Sequence, residues 1–194
     1  MMNPRRMRAT GAAYTAPLRT MILLDPGLKT RPTSNTTSAT LTAAPKKNLR
    51  LPSARTLARF LTLAQKTVRL RGQVTVLLTT DAYLRKLNRQ FRHKDKATDV
   101  LSFSAEGSLP AECPMQEIAA EKIAGDLAIS VPTARKQAID QGHSLSTEIK
   151  ILILHGLLHL AGHNHESDAG QMARRERQLR AKLGLPQGLI ERDK

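Results

Sequence analysis

A run of eleven residues, 155–165, contains four of the chain's six histidines and constrains the fold more than any other stretch. If this run begins in a helix, His155 and His159 stand at positions i and i+4, on one face of it. Two imidazoles in this relation can bind one metal ion. A lone histidine on an apolar helix is usually a core residue, but packing alone does not require four histidines at this spacing.

The end of the same run predicts how the site is completed. Gly162 suits the left-handed residue that ends a helix, so that the chain turns back and offers a third imidazole, from His163 or His165. Three neutral nitrogen ligands and an open fourth position are typical of a catalytic zinc site. The sequence therefore predicts a metal site on a central buried helix and on the turn that follows it.

Length and cysteine content favour one domain without disulfides. A chain of 194 residues with 40% hydrophobic residues can form one packed core. The single cysteine, Cys113, excludes an intramolecular disulfide and favours a cytoplasmic location. We interpret Cys113 as neither a ligand nor a nucleophile. No apolar run reaches the roughly 18–20 residues that span a bilayer, so we expect no membrane association through a spanning helix.

The net charge of +15 indicates a polyanionic partner. Residues 1–50 contain nine Lys/Arg and one acidic residue, and the other 22 basic and 15 acidic residues belong to the rest of the chain. The excess is thus not confined to the N-terminus. RNA or DNA is the first candidate partner and an anionic membrane the second, while a solvated charged surface is the alternative.

Two segments lack a regular hydrophobic period. Residues 1–20 are predicted to be a flexible basic extension, with a transit peptide or a translation start at Met21 as alternatives. Residues 21–194 are expected to form the single domain. Within that domain, residues 30–47 are rich in Thr, Ser, Ala and Pro and are predicted to be a loop.

The remaining patterns predict an α/β (α+β) fold, with helices packed on a single mixed sheet of about four strands. Ser53 and Asp81 are the predicted caps of the first two helices, and Ser144 or Ser146 of the histidine helix. The expected strands are residues 21–25, 73–80, 98–104 and 125–130, and the expected helices are residues 53–70, 81–91, 132–142, 144–160 and 167–183.

The histidine spacing also matches the extended metalloprotease signature, with one exception. His155, His159, Gly162 and His165 occupy the signature positions, but Gly156 stands where a peptidase has its glutamate. That glutamate is the general base for attack on the peptide. The ligand set therefore survives, whereas the proton acceptor for peptide hydrolysis does not.

Two further segments are distinctive: residues 87–103, with the sequence LNRQFRHKDKATDVLSF, and residues 125–130, with the sequence GDLAIS. Together with the histidine run, they closely resemble the YbeY family of bacterial and organellar endoribonucleases, also called rRNA maturation factors. The resemblance extends over about residues 21–183 and depends on three motifs together, which makes it far more specific than the histidines alone.

The resemblance implies one zinc ion per chain, bound by His155, His159 and His165, with His163 outside the ligand set. It also implies a functional role for Arg92. The expected function is that of a zinc-dependent, single-strand-specific endoribonuclease, a hydrolase of the cytoplasm. Such an enzyme would mature the 3′ end of small-subunit rRNA and serve ribosome quality control, with the small subunit and its associated proteins as partners and no membrane partner.

The chemistry of the residues is compatible with that activity. A zinc ion can polarise a phosphoryl oxygen, and RNA brings its own nucleophile in the 2′-OH. We therefore expect Arg92 and His155 to be catalytic, Arg92 through a bidentate contact with the phosphate; a surface arginine that only steers RNA is the alternative. Weaker contacts with the RNA backbone are expected from Arg85, Arg89, Lys94 and Lys96.

Two other functions stay open at this point: a non-catalytic, zinc-stabilised ribosome assembly factor, and a zinc hydrolase of another substrate. Asp99 and Asp126 could each orient a histidine, but we expect both to be structural. His93 could contact the substrate, and His143 is expected to have no part in the chemistry.

Overall fold

The fold is built on a four-stranded mixed sheet. The computed structural model describes residues 20–28, 49–105, 123–163 and 168–187, which contain the four strands and five helices. The strands are β1 (Thr20–Leu24), β2 (Gln73–Thr79), β3 (Val100–Ser104) and β4 (Ile123–Ser130). The helices are α1 (Ala54–Val68), α2 (Asp81–Arg92), α3 (Val131–Asp140), α4 (Leu145–Leu160) and α5 (Gln171–Lys182). The predicted fold class is confirmed.

Among the strands that the structure describes, the order is β1-β2-β4-β3, so β1 and β3 lie at the two edges of this four-stranded sheet. The first three strands in this order are parallel to one another, and β3 pairs antiparallel with β4. Parallel neighbours require a crossover connection, which α1 supplies between β1 and β2. The sheet is therefore mixed, as predicted, with its antiparallel strand at an edge.

The two faces of the sheet carry cores of unequal size. Consecutive strand residues point to opposite faces, and in β4 Leu127 and Ile129 join the large core, whereas Ala128 joins a smaller one. The large core also contains buried residues of α1, α4 and α5. The smaller core places Leu84 of α2 against Leu101 of β3. The helices α2 and α4 thus lie on opposite faces of the sheet.

The most buried helix is α4, which contacts α1, α3, α5, β3 and β4. Eleven of its sixteen residues are buried, so almost every side of it faces protein. A helix that is apolar all round belongs in a core. The histidine run therefore begins in the centre of the fold, as its sequence predicted.

Local hydrogen bonds set the helix ends, and some differ from expectation. The hydroxyls of Ser53 and Ser144 accept backbone N–H groups at the starts of α1 and α4, which confirms both predicted caps. The prediction for Asp81 was wrong: Thr80 is the cap of α2, since its hydroxyl accepts the N–H of Tyr83 at 3.3 Å. The α5 helix begins at Gln171 rather than at residue 167.

Several predictions fall on residues outside the described ranges, namely the extension up to residue 19, the loop at 30–47, and Cys113. Thr20, which was assigned to the extension, is the first residue of β1 and pairs with Val74. In the described parts of the chain, every helix is too short or too polar to cross a bilayer.

Candidate metal centre

The α4 helix brings His155 and His159 together. Their Nε2 atoms are 3.1 Å apart, and their ring centroids are 4.8 Å apart. Two imidazole nitrogens bound to a tetrahedral zinc ion, each at 2.0–2.1 Å, would lie about 3.3 Å apart. The spacing of the two nitrogens therefore fits a shared metal ion. Both rings are partly exposed, so the site is accessible from solvent.

The turn after α4 has the conformation that Gly162 predicted. Gly162 adopts a φ of 86°, a left-handed conformation that favours glycine. Its N–H donates to the carbonyl of His159, and the N–H of His163 donates to the carbonyl of Leu158, both at 3.0 Å. This pair of bonds is a Schellman motif. It turns the chain back at the end of α4 nearest to the two histidines.

The third predicted ligand, His165, lies outside the described residues, and its role stays a prediction. Within the described ranges, no three side chains of His, Cys, Asp and Glu form a group that could hold a metal ion. His163, which the resemblance leaves out of the ligand set, is half-buried in the turn.

A buried carboxylate, Glu176 of α5, contacts the site from the side. Its Oε2 lies 3.0 Å from Nδ1 of His155, and its Oε1 accepts hydrogen bonds from Nε and Nη2 of Arg180 at 3.1 and 2.8 Å. Burial raises the pKa of Glu176, but its contacts with His155 and Arg180 outweigh burial and hold this pKa below its usual range. Glu176 is therefore an ionised acceptor.

The sequence prediction missed Glu176, although a signal was present. Met172, Glu176 and Leu179 follow one another at spacings of four and three along α5, and all three are buried. A carboxylate on the apolar face of a helix must be paired inside the protein. The partner could not be identified from the sequence, because the contact depends on how α5 packs against α4.

Gly156, which takes the place of the peptidase glutamate, faces the sheet rather than the site. A Cβ atom at this position would lie 2.7 Å from Cδ2 of Leu127 and 3.2 Å from Oγ of Ser102. The backbone of α4 thus packs directly on β4 and β3. A side chain at residue 156 would therefore start against the sheet and displace Leu127.

The ends of α2 and α4 meet at one corner of the sheet, on opposite faces. A Cβ on Gly125 of β4 would lie 2.8 Å from Cδ2 of Leu160 and 2.3 Å from the carbonyl oxygen of Phe103. The ring of Phe103 in turn packs edge-to-face on Phe91, with centroids 5.3 Å apart. These contacts connect the last residue of α4, through the β3 edge, with the last turn of α2.

Arg92 is the last residue of α2 and is exposed at this corner. His159 is in the last turn of α4, at the same end of β3. The Phe91–Phe103 and Gly125–Leu160 contacts therefore place the ends of the two helices on opposite faces of the same part of the sheet. Among the described residues, no hydrogen bond or ion pair links Arg92 to His155 or His159. The loop that follows Arg92 is held by other contacts.

The cationic loop, residues 93–97 after α2, is held by Asn88 and Arg85 of the helix. The buried Asn88 donates from Nδ2 to the carbonyl of Lys96 at 2.7 Å and accepts the N–H of Lys94 at its own carbonyl. Arg85 makes a bidentate pair with Asp95, with both N–O distances 2.8 Å. Of the predicted weak RNA contacts, Arg85 thus already has an acidic partner, while Arg89, Lys94 and Lys96 are exposed.

The remaining candidates are Asp99, Asp126, His143 and His93. Asp99 accepts the N–H of Val100 at 2.8 Å and a hydrogen bond from Gln137 at 3.0 Å. Asp126 is exposed on β4. His143 places its Nε2 2.5 Å from Oε2 of Glu148, which is 1% exposed at the start of α4. His93 ends α2 with a φ of 56°.

Comparison with known proteins gives a consistent result over most of the chain. Residues 40–184 match the family model described as Endoribonuclease YbeY. A protein of Koribacter versatilis with that name is 52% identical over 147 residues, which are 76% of this chain and 88% of the relative. A protein of Solibacter usitatus with the same name is 50% identical over 155 residues, 80% of this chain and 93% of the relative.

A solution structure of a Thermotoga maritima protein is also similar. It is 21% identical in sequence, the TM-score is 0.44, and the match covers 76% of this chain and 98% of that one.

Proposed function

Because the chain belongs to the YbeY family of endoribonucleases, we propose that it is a zinc-dependent endoribonuclease that cleaves single-stranded RNA. The observation that carries the proposal is the 3.1 Å separation of the two Nε2 atoms on α4, in a chain of this family. His155, His159 and His165 would bind the ion. A zinc ion with three imidazole ligands and an open position supplies Lewis acidity toward a phosphoryl oxygen.

The residues of the chain supply the rest of the chemistry. Arg92 binds the scissile phosphate through its planar guanidinium and offsets the negative charge that develops during cleavage. The 2′-OH of the RNA can attack the phosphorus: the bond from O2′ to phosphorus forms and the bond from phosphorus to O5′ breaks. The 2′ proton passes to solvent and O5′ takes a proton from solvent, which leaves a 2′,3′-cyclic phosphate and a free 5′-OH. This route needs no strong base on α4, which agrees with the close packing at Gly156.

The exposed cations beside Arg92 provide the contacts with the RNA backbone. Arg89, Lys94 and Lys96 are all exposed, and the contacts of Asn88 fix the loop that carries the two lysines. Each phosphate contact releases counterions, so RNA affinity should fall steeply as the salt concentration rises. A flat response would contradict a cationic surface that follows the backbone.

We further propose that the substrate in the cell is rRNA, at the 3′ end of the small subunit, and that the protein acts in the cytoplasm in rRNA maturation and ribosome quality control. Family membership supports this part of the proposal. The test is to map the 3′ ends of small-subunit rRNA in cells that lack the gene, with and without complementation. Wild type should restore the mature end and Arg92→Ala should not.

Cleavage of an unstructured RNA by the zinc-loaded protein tests the activity itself. Arg92→Ala and His155→Ala should abolish cleavage while the far-UV circular dichroism stays unchanged. Arg89→Ala is the matched control, since Arg89 is an exposed arginine of the same helix; it should weaken binding but retain turnover. A substrate with 2′-deoxyribose at the cleavage site should resist if the 2′-OH is the nucleophile.

Undiminished cleavage by both Arg92→Ala and His155→Ala would show that the nuclease is a contaminant. The protein would then be better described as an RNA-binding assembly factor. Hydrolysis of a peptide substrate would instead support a zinc hydrolase of another class.

A further inference from the structure

We propose that Glu176, held in place by Arg180, is a positioning residue that fixes His155 in the tautomer able to bind a metal ion through Nε2. The proposal rests on the metal site proposed above. It adds a role for α5, a helix that contributes none of the expected ligands.

The two carboxylate oxygens of Glu176 have different partners. Within the described part of the chain, Oε1 of Glu176 accepts from Arg180, and Oε2 lies 3.0 Å from Nδ1 of His155. Glu176 is 2% exposed and Arg180 3% exposed. A buried carboxylate is tolerated when its charge is paired and its oxygens accept hydrogen bonds. Arg180 supplies the charge and leaves Oε2 for the imidazole.

The contact with Glu176 locates a ring proton of His155. Arg180 binds Oε1 of the carboxylate and leaves Oε2 as an acceptor, so the 3.0 Å contact places a proton of His155 on Nδ1. The lone pair of a neutral ring is then on Nε2, the atom that faces Nε2 of His159 at 3.1 Å. A carboxylate that accepts from the second nitrogen of a metal-binding histidine fixes both its tautomer and its ring orientation.

Arg180 holds the carboxylate of Glu176 in place. The guanidinium binds Oε1 through two of its nitrogens, and Nη1 lies 3.4 Å from the carbonyl oxygen of Pro186. An arginine does not lose its proton in a protein, so the charge next to Glu176 is permanent. The carboxylate therefore has one orientation, in which Oε2 points to His155.

The alternative is that the buried pair only fastens α5 to α4. Glu176→Gln separates the two roles, because the amide keeps the shape but carries two N–H donors. If the amide nitrogen faces Arg180, two donors oppose each other; if it faces His155, it moves the ring proton to Nε2. In the first case the side chain loses the partner that holds it in place, and in the second the metal-binding tautomer of His155 is lost.

The experiment measures zinc affinity by competition with a chromophoric chelator, on full-length protein. Glu176→Gln should weaken zinc binding about 10–100-fold. The matched control is Glu148→Gln, which disrupts another buried carboxylate–histidine pair, at the opposite end of α4. The control should lower the thermal midpoint comparably and leave zinc affinity within about twofold. Equal zinc affinity in Glu176→Gln and wild type, or an equal loss in both variants, would overturn the proposal.

A second measurement needs no substitution. In metal-free wild-type protein at mildly alkaline pH, long-range proton–nitrogen NMR spectra distinguish the two neutral tautomers of a histidine. His155 should show the Nδ1–H tautomer, and the Nε2–H tautomer would overturn the proposal even if Glu176→Gln does not fold.

His155→Ala separates this proposal from the proposed function. If His155→Ala binds zinc as wild type does, the metal site itself is misplaced. If His155→Ala loses zinc and Glu176→Gln does not, only the role of Glu176 fails.

Discussion

Phe91 and Phe103 meet edge-to-face, with ring centroids 5.3 Å apart, where α2 ends over the β3 edge. This contact joins the last turn of α2 to β3. On the other face of the sheet, Leu160 of α4 packs at Gly125 of β4, the strand next to β3. Arg92 directly follows Phe91 on the helix. The position of the proposed phosphate-binding arginine relative to the histidines therefore depends on an aromatic pair of which Phe91 is largely exposed and Phe103 packs against the smaller core.

We expect Phe91→Ala to impair cleavage more than stability. An aromatic pair contributes about 0.5–1.5 kcal/mol beyond its buried area, and Phe91 is 57% exposed, so the loss in free energy of unfolding should be about 1 kcal/mol. RNA cleavage should fall severalfold because Arg92 loses its fixed position. Tyr83→Ala, at an exposed aromatic residue of the same helix, is the control and should leave cleavage unchanged; a similar loss in both variants would contradict this.

The Arg85–Asp95 pair predicts opposite effects of two substitutions on RNA affinity. Hydrogen bonds from Arg85 hold the pKa of Asp95 below its usual range, so Asp95 stays ionised at neutral pH. Asp95→Asn should strengthen RNA binding, since it removes a negative charge from the cationic loop and releases Arg85. Arg85→Ala should weaken binding. Filter binding at two salt concentrations measures both.

The same pair tests whether Arg85 contacts RNA directly. If it does, adding Arg85→Ala to the Asp95→Asn variant should cancel the gain in affinity. If the double variant binds as tightly as Asp95→Asn alone, the prediction for Arg85 is wrong.

The packing at Gly156 predicts that Gly156→Ala changes the free energy of unfolding in opposite directions in two backgrounds. In the wild-type background, Gly156→Ala should lower the free energy of unfolding by about 1 kcal/mol: overpacking against Leu127 costs about 1–3 kcal/mol, while alanine gains up to about 1 kcal/mol in helix propensity. In a Leu127→Ala background the clash is gone, and the same substitution should stabilise. Urea unfolding of the four proteins measures this coupling, and equal effects in both backgrounds would refute it.

Metal removal should destabilise the protein, and the pattern among variants should identify the third ligand. A ligand present at 100 times its Kd stabilises the native state by about 2.7 kcal/mol, so a chelator should lower the thermal midpoint of wild type. His165→Ala should no longer respond to zinc, whereas His163→Ala should respond as wild type does. The reverse result would place His163 in the ligand set.

The sequence predicted those parts of the site that depend on local geometry. The spacing of His155 and His159, the left-handed Gly162 and the cap at Ser144 each follow from rules about neighbours in a helix, and the structure has all three. Short apolar segments, one of them with partial alternation, likewise predicted the four strands. Their order and the antiparallel pairing of β3 are not local properties, and no pattern in the chain specified them.

Contacts between distant segments were outside the reach of the sequence. Glu176 is 21 residues from His155, and Gly125 touches Leu160 only because β4 lies against α4. Thr80, rather than Asp81, caps α2, because both side chains suit a cap and only the backbone decides between them. Arg85 fits the pattern of a phosphate contact in the sequence, but its pairing with Asp95 depends on how the loop after α2 folds against that helix.

The contact of α4 with the sheet at Gly156 has an evolutionary consequence. A single codon change would restore the peptidase signature in the sequence, yet the first atom of the new side chain would meet Leu127 of the sheet. Such a change would need a smaller residue at position 127 beside it. The zinc-binding consensus and the packing beneath it must therefore evolve together.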